Sequence, residues 1–362
     1  MITIDQVSFA YAEGKNSLRD VSLTIHPGEC VLLCGESGCG KTTVTKLING
    51  LIPHFTADGQ LQGEVTVAGM PVRDTAVYEL AKEVGSVFQN PKSQFFHLDT
   101  DSELEFGLEN EGVPPEQIKS RVATTVRQLK IKKLMHRNIF SLSGGEKQLL
   151  AFASVYAMNP QIYTLDEPTA NLDAEAIEKL RRQLIRLKEE GKTVVIAEHR
   201  LYFLADLVDR AVYIRDGRIE KSFSKAEFLA MEETERIRLG LRKLRRTTLD
   251  LEKARAYEAG KGLGICGLGC GYKGEPDVIK DLSFTAYPGG AWDLRAQRCR
   301  KDNTDPLSVR TDPGAERKYL LGRGCVKTKA ETEKLLFSHA GCKSSAFFGQ
   351  CFWRVRTGGS VG

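Results

Sequence analysis

The apolar and polar residues near the start of the chain alternate with the period of two that a half-buried β-strand requires. This alternation covers residues 2–9 and 21–25, and a Pro27-Gly28 turn follows the second segment. Other short segments rich in apolar and β-branched residues are also typical of strands. These further strands are predicted at 31–34, 64–68, 84–88, 161–165 and 194–197.

Helical segments lie between these strands. The pattern predicts a helix over 43–51, a helical region over 101–130 that Pro114-Pro115 interrupts, and a charged amphipathic helix over 174–188. Strands that alternate with helices imply an α/β layered domain.

A hairpin marks the end of this domain. Residues 211–215 and 218–221 flank Asp216-Gly217, a dipeptide that is favoured in two-residue hairpin turns. The first domain is therefore predicted to span residues 1–225. Residues 226–258 are rich in Glu, Arg and Lys, which indicates a charged helical linker exposed to solvent.

Composition places the chain among ordinary globular proteins. It has 362 residues, enough for two domains, and 41% of them are hydrophobic. The sequence contains no run of 18 apolar residues and no signal peptide, so we expect neither a membrane span nor export. The nine cysteines lack metal-binding spacing and fit a reducing cytoplasm better than a disulfide framework.

The net charge of +5 is unevenly distributed. From residue 291 onward there are 14 Lys/Arg and 7 Asp/Glu, so residues 1–290 carry a net charge of −2. Because the basic excess belongs to the tail, the overall charge does not indicate a nucleic-acid-binding surface.

The first chemical motif is G-E-S-G-C-G-K-T-T at 35–43, which fits G-x-x-x-x-G-K-[ST]. A predicted strand precedes it and a predicted helix follows, so backbone N–H groups and a helix N-terminus converge where a polyphosphate would bind. Lys41 is expected to reach the β- and γ-phosphates, and the Thr42 hydroxyl to bind Mg²⁺. The alternative, an ordinary glycine turn, would not require these flanks. The residues predicted to surround the phosphates are Gly35, Glu36, Ser37, Gly38, Cys39, Gly40, Lys41, Thr42 and Thr43.

The second motif is L-S-G-G-E-K-Q at 142–148, followed by I-Y-T-L-D-E-P at 162–168. The two glycines open a helix whose N-terminus, with the Ser143 hydroxyl, suits a phosphate. Asp166 ends a strand and is predicted to hold Mg²⁺ through water, whereas Glu167 is predicted to polarise the attacking water. A capped helix and two solvated carboxylates are the alternative interpretation.

Together these motifs resemble the ATP-binding-cassette (ABC) ATPases, and the resemblance covers residues 1 to about 225. It implies an α/β P-loop NTPase fold with an antiparallel β-subdomain and a helical subdomain, and it implies ATP and Mg²⁺ as cofactors. Tyr11 corresponds to the aromatic residue that stacks on adenine. Gln89 corresponds to the glutamine that senses Mg²⁺, and His199 to the switch histidine, although a lone His after a strand is usually a surface residue.

The resemblance also implies a partner ATPase domain, as a homodimer or a heterodimer. Ser143, Gly144 and Gly145 match the signature that reaches the γ-phosphate of the other subunit. Residues 171–173, N-L-D, match the loop that joins the two sites. Hydrolysis is then expected to require dimerisation.

The segment Q-N-P-K-S-Q-F-F at 89–96, the E-F-G-L-E-N that follows at 105–110 and the short A-E-H-R at 197–200 resemble ATPases of energy-coupling-factor importers for vitamins or metal ions. This implies transmembrane subunits as partners and a cytoplasmic location, peripheral on the inner face of the cell membrane. A soluble ABC ATPase of translation or DNA repair is the alternative, although residues 1–290 lack a basic face, and no nucleic-acid partner is expected.

The chain contains an internal repeat. D-V-S-L-T-I-H-P-G at 20–28 matches D-L-S-F-T-A-Y-P-G at 281–289, with Tyr272 opposite Tyr11. Residues 259–290 are therefore predicted to begin a second ABC domain, as in importers with two fused cassettes. A second phosphate loop is expected just after residue 290 and is absent from the sequence.

A frameshift near Gly289 would explain this absence. When the frame is shifted forward by one base, codons for residues 289–304 can be chosen that encode G-H-N-G-A-G-K-T-T, the missing loop. Residues 291–362 are then an out-of-frame tail that is predicted to be disordered. An inactive product of a damaged gene is a further alternative.

Overall fold

The computed structural model describes residues 1–11, 16–56, 58–170 and 172–245, together with the backbone of five strands further along the chain. The chain separates into two compact units, Met1–Thr248 and Leu249–Gly362. Within the described residues, no helix is long and apolar enough to cross a lipid bilayer.

The described residues of the first unit confirm every strand and helix that the pattern predicts up to residue 221. Its strands are β1 (Ile2–Ala10), β2 (Asn16–Ile25), β3 (Cys30–Cys34), β4 (Gln60–Val67), β5 (Met70–Pro71), β6 (Val84–Val87), β7 (Ile162–Asp166), β8 (Thr193–Ala197), β9 (Arg210–Arg215) and β10 (Arg218–Ser224). Its helices are α1 (Lys41–Ile48), α2 (Leu51–His54), α3 (Val77–Glu83), α4 (Thr100–Asn110), α5 (Pro115–Gln128), α6 (Gly144–Met158), α7 (Ala174–Glu189), α8 (Lys225–Leu229) and α9 (Glu233–Arg238).

The strands form two sheets. The smaller sheet is antiparallel, in the order β2-β1-β4-β5, and the larger has the order β10-β9-β3-β8-β7-β6. In the larger sheet every neighbouring pair is parallel except β9 and β10, which form the predicted hairpin. Leu33 pairs with Ala197, which pairs in turn with Asp166, so β3, β8 and β7 end side by side.

The larger sheet is buried on both faces. From β3, Val31 and Leu33 pack into a core shared with α1 and the antiparallel sheet. Leu32 and Cys34 face the opposite core, which includes side chains of α6 and α7. This double burial explains why strand β3 is continuously apolar in sequence.

The helical region 101–130 divides as the sequence predicts. Helix α4 starts after Asp99, whose carboxylate accepts a hydrogen bond from the Ser102 N–H at 2.9 Å. That bond lowers the pKa of Asp99. Helix α5 begins at Pro115, in the first turn, where a missing N–H costs nothing. Leu104, Leu108 and other side chains of these helices pack onto α6 in the core.

The compact unit continues well past residue 225, where the sequence places its end. Phe228, Leu239, Leu241 and Leu244 are buried in the same core as α6 and α7. These four apolar side chains stand in a highly charged segment and are spaced too irregularly to form one helix face. Their burial could therefore not be predicted from the sequence pattern. Residues 226–245 are therefore part of the domain, and 246–258 lie outside the described residues.

The second unit is described only as strands. They are β11 (Leu263–Tyr272), β12 (Ile279–Ala286), β13 (Tyr319–Leu321), β14 (Gly324–Val326) and β15 (Cys351–Val355). Strand β11 pairs in antiparallel fashion with β12, β13 and β15, and β13 pairs with β14. Three of these strands fall in the tail 291–362, whose remaining residues lie outside the described part of the chain.

We expect Phe228→Ala to lower the free energy of unfolding of the first unit by about 3–5 kcal/mol, because it removes a fully buried aromatic ring. Ile237→Ala, in the same segment but 63% exposed, is the matched control and should change it by less than about 0.5 kcal/mol. Urea unfolding of the full chain measures both. Equal, small effects of the two substitutions would show that the segment does not belong to the folded domain.

Candidate functional site

The glycine loop 35–40 connects β3 to α1, as the motif predicts. Its backbone has positive φ angles at Gly35, Gly38 and Gly40. A Cβ at Gly35 would lie 2.1 Å from the carbonyl oxygen of Ile214 in β9, so no other residue fits there. The loop is therefore pressed against the end of the neighbouring strand.

Lys41 lies across this loop and is only 4% exposed. Its Nζ donates hydrogen bonds to the carbonyl oxygens of Gly35 at 3.2 Å and Glu36 at 2.9 Å, and it lies 3.7 Å from the Cys39 Sγ. The ammonium group is thus held against the glycine loop. Loops of this type bind anions through their backbone N–H groups, and a nearby cation suits the same ligand.

Thr42 and Asp166 meet next to Lys41. The Thr42 Oγ1 donates a hydrogen bond to Asp166 Oδ1 at 2.9 Å. Burial raises the pKa of Asp166, and the Thr42 hydrogen bond opposes that rise. With Gln89 these residues line a cavity of about 290 Å³.

This corner fits the chemistry of Mg²⁺, which prefers oxygen ligands and keeps several waters or phosphate oxygens. Thr42 and Asp166 supply a hydroxyl and a carboxylate. Among the described residues no group of three or more His, Cys, Asp or Glu side chains could hold a metal ion. Oxygens of a bound ligand would therefore have to complete the coordination.

Glu167 brings the three predicted catalytic residues together. Its Oε1 lies 2.9 Å from the His199 Nε2, and its Oε2 accepts a hydrogen bond from the Gln89 Nε2 at 3.0 Å. The backbone of Glu167 has a φ of 42°, in the left-handed region, and its N–H donates to the Ala197 carbonyl oxygen at 2.8 Å. A strained backbone of this kind is typical of functional sites.

The environment of His199 disfavours its protonated form. Burial lowers the pKa of His199, the Lys41 ammonium and the Arg242 guanidinium lower it further, and the carboxylates of Glu167 and Glu198 oppose them. Because a carboxylate cannot donate, the neutral imidazole donates its Nε2–H to Glu167.

A cavity of about 410 Å³ opens beside the glycine loop. Residues 35–37 line one side, and Glu167 and His199 line another. The wall also contains Gly240, Leu241 and Arg242, which follow α9. This segment carries no motif and lies in the predicted linker, so no feature of the sequence placed it at the cavity.

Glu198 belongs to the A-E-H-R segment, but the sequence assigned it no role. Its carboxylate is buried between the end of β8 and the loop that follows Glu167, where it accepts hydrogen bonds from Thr169 and from the backbone of His199 and Arg200. The only sequence signal was an acidic residue beside the switch histidine.

Tyr11 lies at the end of β1, half exposed, with its ring edge-on to Phe9 at a centroid distance of 4.7 Å. The Nζ of Lys46, on the helix that starts at the glycine loop, lies 5.9 Å from the centre of the Tyr11 ring. The ring therefore lies near Lys46 of α1, and its stacking on adenine stays a prediction.

The serine-glycine motif begins α6. Ser143 caps this helix: its Oγ accepts from the Glu146 N–H at 3.3 Å, and its own N–H donates to the Glu146 carboxylate at 2.9 Å. Ser143, Gly144 and Gly145 are not among the residues that line the two cavities described above.

The loop at 171–173 lies between Glu167 and α7. Leu172 is buried, and Asp173 caps α7 by accepting from the Ala176 N–H at 2.8 Å. Asn171 lies outside the described residues.

We predict that His199 titrates below pH 6.5, its ordinary value, because burial and the nearby cations disfavour the imidazolium. Arg242→Gln should raise the midpoint, since it removes one of those cations. Arg245→Gln removes the same charge from the same segment without altering the cavity wall and should leave the midpoint unchanged. NMR titration of the His199 ring protons measures all three proteins; a midpoint that Arg242→Gln does not move would place Arg242 away from the site.

Comparison with known proteins gives a consistent result. The family model described as ABC transporter matches residues 18–170. A Treponema denticola protein named as an ABC transporter ATP-binding protein is 44% identical over 298 residues, which cover 80% of this chain and 60% of the relative. A similarly named protein of Pyrococcus abyssi is 41% identical over 238 residues, which cover 63% of this chain and 84% of the relative. The chain spans about three-fifths of the length of the two Treponema relatives that it matches.

Two solved structures share the fold. The first is cbiO1 from Clostridium perfringens, described as part of the ABC transporter complex cbiONQ; it is 27% identical with a TM-score of 0.57, over 66% of this chain and 92% of that chain. The second is the dimeric ATP-binding cassette MJ0796 bound to ADP and Pi, which is 28% identical with a TM-score of 0.55, over 62% of this chain and 99% of that chain. The predicted α/β P-loop fold with an antiparallel sheet and a helical region is confirmed. The chain belongs to the family of ABC transporter ATP-binding proteins.

Proposed function

We propose that this chain hydrolyses ATP with Mg²⁺ and that Glu167 is the residue that polarises the attacking water. The observation that carries this proposal is the position of Glu167, between Gln89 and His199 and next to the Thr42–Asp166 pair. A carboxylate held by two side chains beside a phosphate loop can accept a proton from water while the loop and Lys41 hold the phosphates. When bound, Mg²⁺ would neutralise charge on the phosphate oxygens, with Thr42, Asp166 and Gln89 around it.

Glu167→Gln should lower ATP turnover by about a hundredfold or more, as expected for the loss of a general base. ATP binding should stay intact. Lys41→Ala is the complementary variant and should weaken ATP binding itself, since it removes the cation at the loop mouth. Phosphate release and fluorescent-nucleotide binding measure the two effects. Unchanged turnover in Glu167→Gln would remove this residue from its proposed role.

A second ABC domain is part of the proposal. Ser143 and the two glycines after it begin a 15-residue helix, whose N-terminus can bind a phosphate oxygen. They do not line the cavities at the chain's own glycine loop, which favours a phosphate held by another subunit. MJ0796, a structural neighbour, is described as a dimer bound to ADP and Pi, which supports a dimer of ABC domains here. Both homodimers and heterodimers satisfy it.

We further propose that the chain drives solute uptake, of a vitamin or a metal ion, by docking on membrane subunits of an energy-coupling-factor importer. It would then work on the cytoplasmic face of the membrane. The similarity to cbiO1, described as part of a transporter complex, supports this assignment.

An exposed apolar patch provides a surface for such docking. Phe96, Leu98 and Phe140 are 75%, 64% and 75% exposed. The Ile139 N–H donates to the Leu98 carbonyl oxygen at 2.8 Å, so the two loops that carry these side chains run side by side. Phe96 and Leu98 follow Gln89 closely along the chain. A partner bound at this patch would therefore be connected to the site through a short stretch of backbone.

Replacing both Phe96 and Phe140 with Ala should weaken binding to the membrane subunits by about thirtyfold or more, as for removal of interface aromatic anchors. Ile237→Ala, which removes another exposed apolar side chain far along the sequence, should bind normally. Co-purification with the membrane subunits, after both are expressed in one cell, measures this binding. Equal binding of the double variant and the control would move the docking surface elsewhere.

The alternative class is a soluble ABC ATPase of translation or DNA repair. Residues 1–290 carry a net charge of −2, which does not favour a nucleic-acid partner. Co-sedimentation with ribosomes or DNA that survives moderate salt would favour this class over transport.

We also propose that a second cassette begins after residue 258 and that a frameshift near Gly289 interrupts it. The sequence repeat aligns the start of β11 with the start of β1 and the end of β12 with the end of β2, and both pairs are antiparallel. If the frame is broken, the product could be inactive in its cell; the gene sequence around codon 289 decides the matter.

A further inference from the structure

Glu198 is buried, only 3% exposed, and each of its two carboxylate oxygens accepts two hydrogen bonds. Its Oε2 accepts from the Thr169 N–H at 3.2 Å and from the Thr169 Oγ1 at 2.6 Å. Its Oε1 accepts from the His199 N–H at 2.7 Å and from the Arg200 N–H at 3.0 Å. One side chain thus joins the loop after β7 to the segment after β8.

Only a carboxylate of this length satisfies these four donors. A glutamine has one carbonyl oxygen and one NH₂ group. An NH₂ turned toward His199 and Arg200 would face two backbone N–H groups, and one turned toward Thr169 would face the Thr169 N–H, although the Thr169 hydroxyl could then accept. An aspartate is one methylene shorter and cannot reach both segments. Each buried donor left unsatisfied is costly, so the geometry around Glu198 depends on its charge and its length.

A second hydrogen bond joins the same two segments. The Arg200 Nη1 donates to the Leu172 carbonyl oxygen at 3.2 Å. Thr169 and Leu172, which both follow Glu167, are therefore each linked to the segment 198–200. His199 lies within this linked segment and donates to Glu167, so these contacts connect Thr169 and Leu172 to the Glu167–His199 pair.

We propose that Glu198 is a positioning residue, which holds the His199 imidazole against Glu167 and couples that pair to Thr169. This inference rests on the proposed hydrolysis of ATP, because that reaction gives the Glu167–His199 pair its purpose. Glu198 lines the 410 Å³ cavity next to His199, but both of its oxygens are bound by Thr169, His199 and Arg200. It would therefore act through the backbone of His199 and through Thr169.

The test is Glu198→Gln in the full chain. In the nucleotide-free protein, the hydrogen-bonded His199 Nε2–H should exchange with water faster by about tenfold or more, the effect of losing one buried hydrogen bond. In the ATPase assay, kcat should fall by about tenfold or more while the ATP dissociation constant and KM change by less than about twofold, because the phosphate loop is untouched.

Glu29→Gln is the matched control. Glu29 is also largely buried, accepts from the His26 N–H at 2.9 Å and pairs with Arg210 at 2.7 Å, but it precedes β3, at the opposite edge of the sheet from the glycine loop. The Glu29→Gln protein should have a lower free energy of unfolding, with no change in the exchange rate of the His199 Nε2–H or in kcat. Thr169→Val, which removes only one donor, is the second variant if Glu198→Gln does not fold; it should give a smaller change in the same direction.

Two outcomes separate the proposals. If the wild-type protein hydrolyses ATP and Glu198→Gln keeps its kcat and its His199 exchange rate, the role of Glu198 is wrong and the proposed function stands. If the wild-type protein hydrolyses no ATP with any partner cassette, the proposed function fails, and the exchange measurement on nucleotide-free protein still decides whether Glu198 positions His199.

Discussion

The parallel pairing of β3, β8 and β7 is the constraint on which the site depends. The register aligns Leu33 with Ala197 and Ala197 with Asp166, so the three strands end at one level. The residues that follow each strand, namely the glycine loop, Glu167 and His199, then meet at a single edge although they are distant in sequence. A shift of one residue in either pairing would separate the groups and turn buried side chains to the wrong face. The continuous burial of these strands in two cores holds that register.

Much of this could be predicted from sequence because the chemistry is carried by contiguous motifs. The glycine loop needs its residue types at fixed spacing, and Gly35 shows why: the main chain of β9 leaves no room for a Cβ. Asp166, Glu167 and His199 come directly after apolar strands, so their position at the sheet edge follows from the strand pattern. The direct contacts of Glu167 with Gln89 and His199 needed the structure, since nothing in spacing states which side chains touch.

What could not be predicted lies in groups that act by tertiary position alone. Residues 240–242 reach the cavity because Leu239, Leu241 and Leu244 are anchored in the core, and the Tyr213 hydroxyl donates to the Leu239 carbonyl oxygen at 3.0 Å. The surrounding sequence, L-G-L-R-K-L-R-R at 239–246, is rich in basic residues, a composition typical of exposed linkers, so the local pattern gave the opposite expectation. The role of Glu198 could not be predicted either, because its partners are mainly backbone N–H groups, which every non-proline residue carries.

That last property has an evolutionary consequence. Three of the four donors to Glu198 are main-chain N–H groups, at positions 169, 199 and 200, and they point at the carboxylate whatever side chains stand there. Neighbouring residues can therefore drift while the demand for a long acidic side chain at 198 persists. In lineages that keep this backbone path, position 198 should be among the slowest to change, and its replacement should coincide with a rebuilt turn after β7.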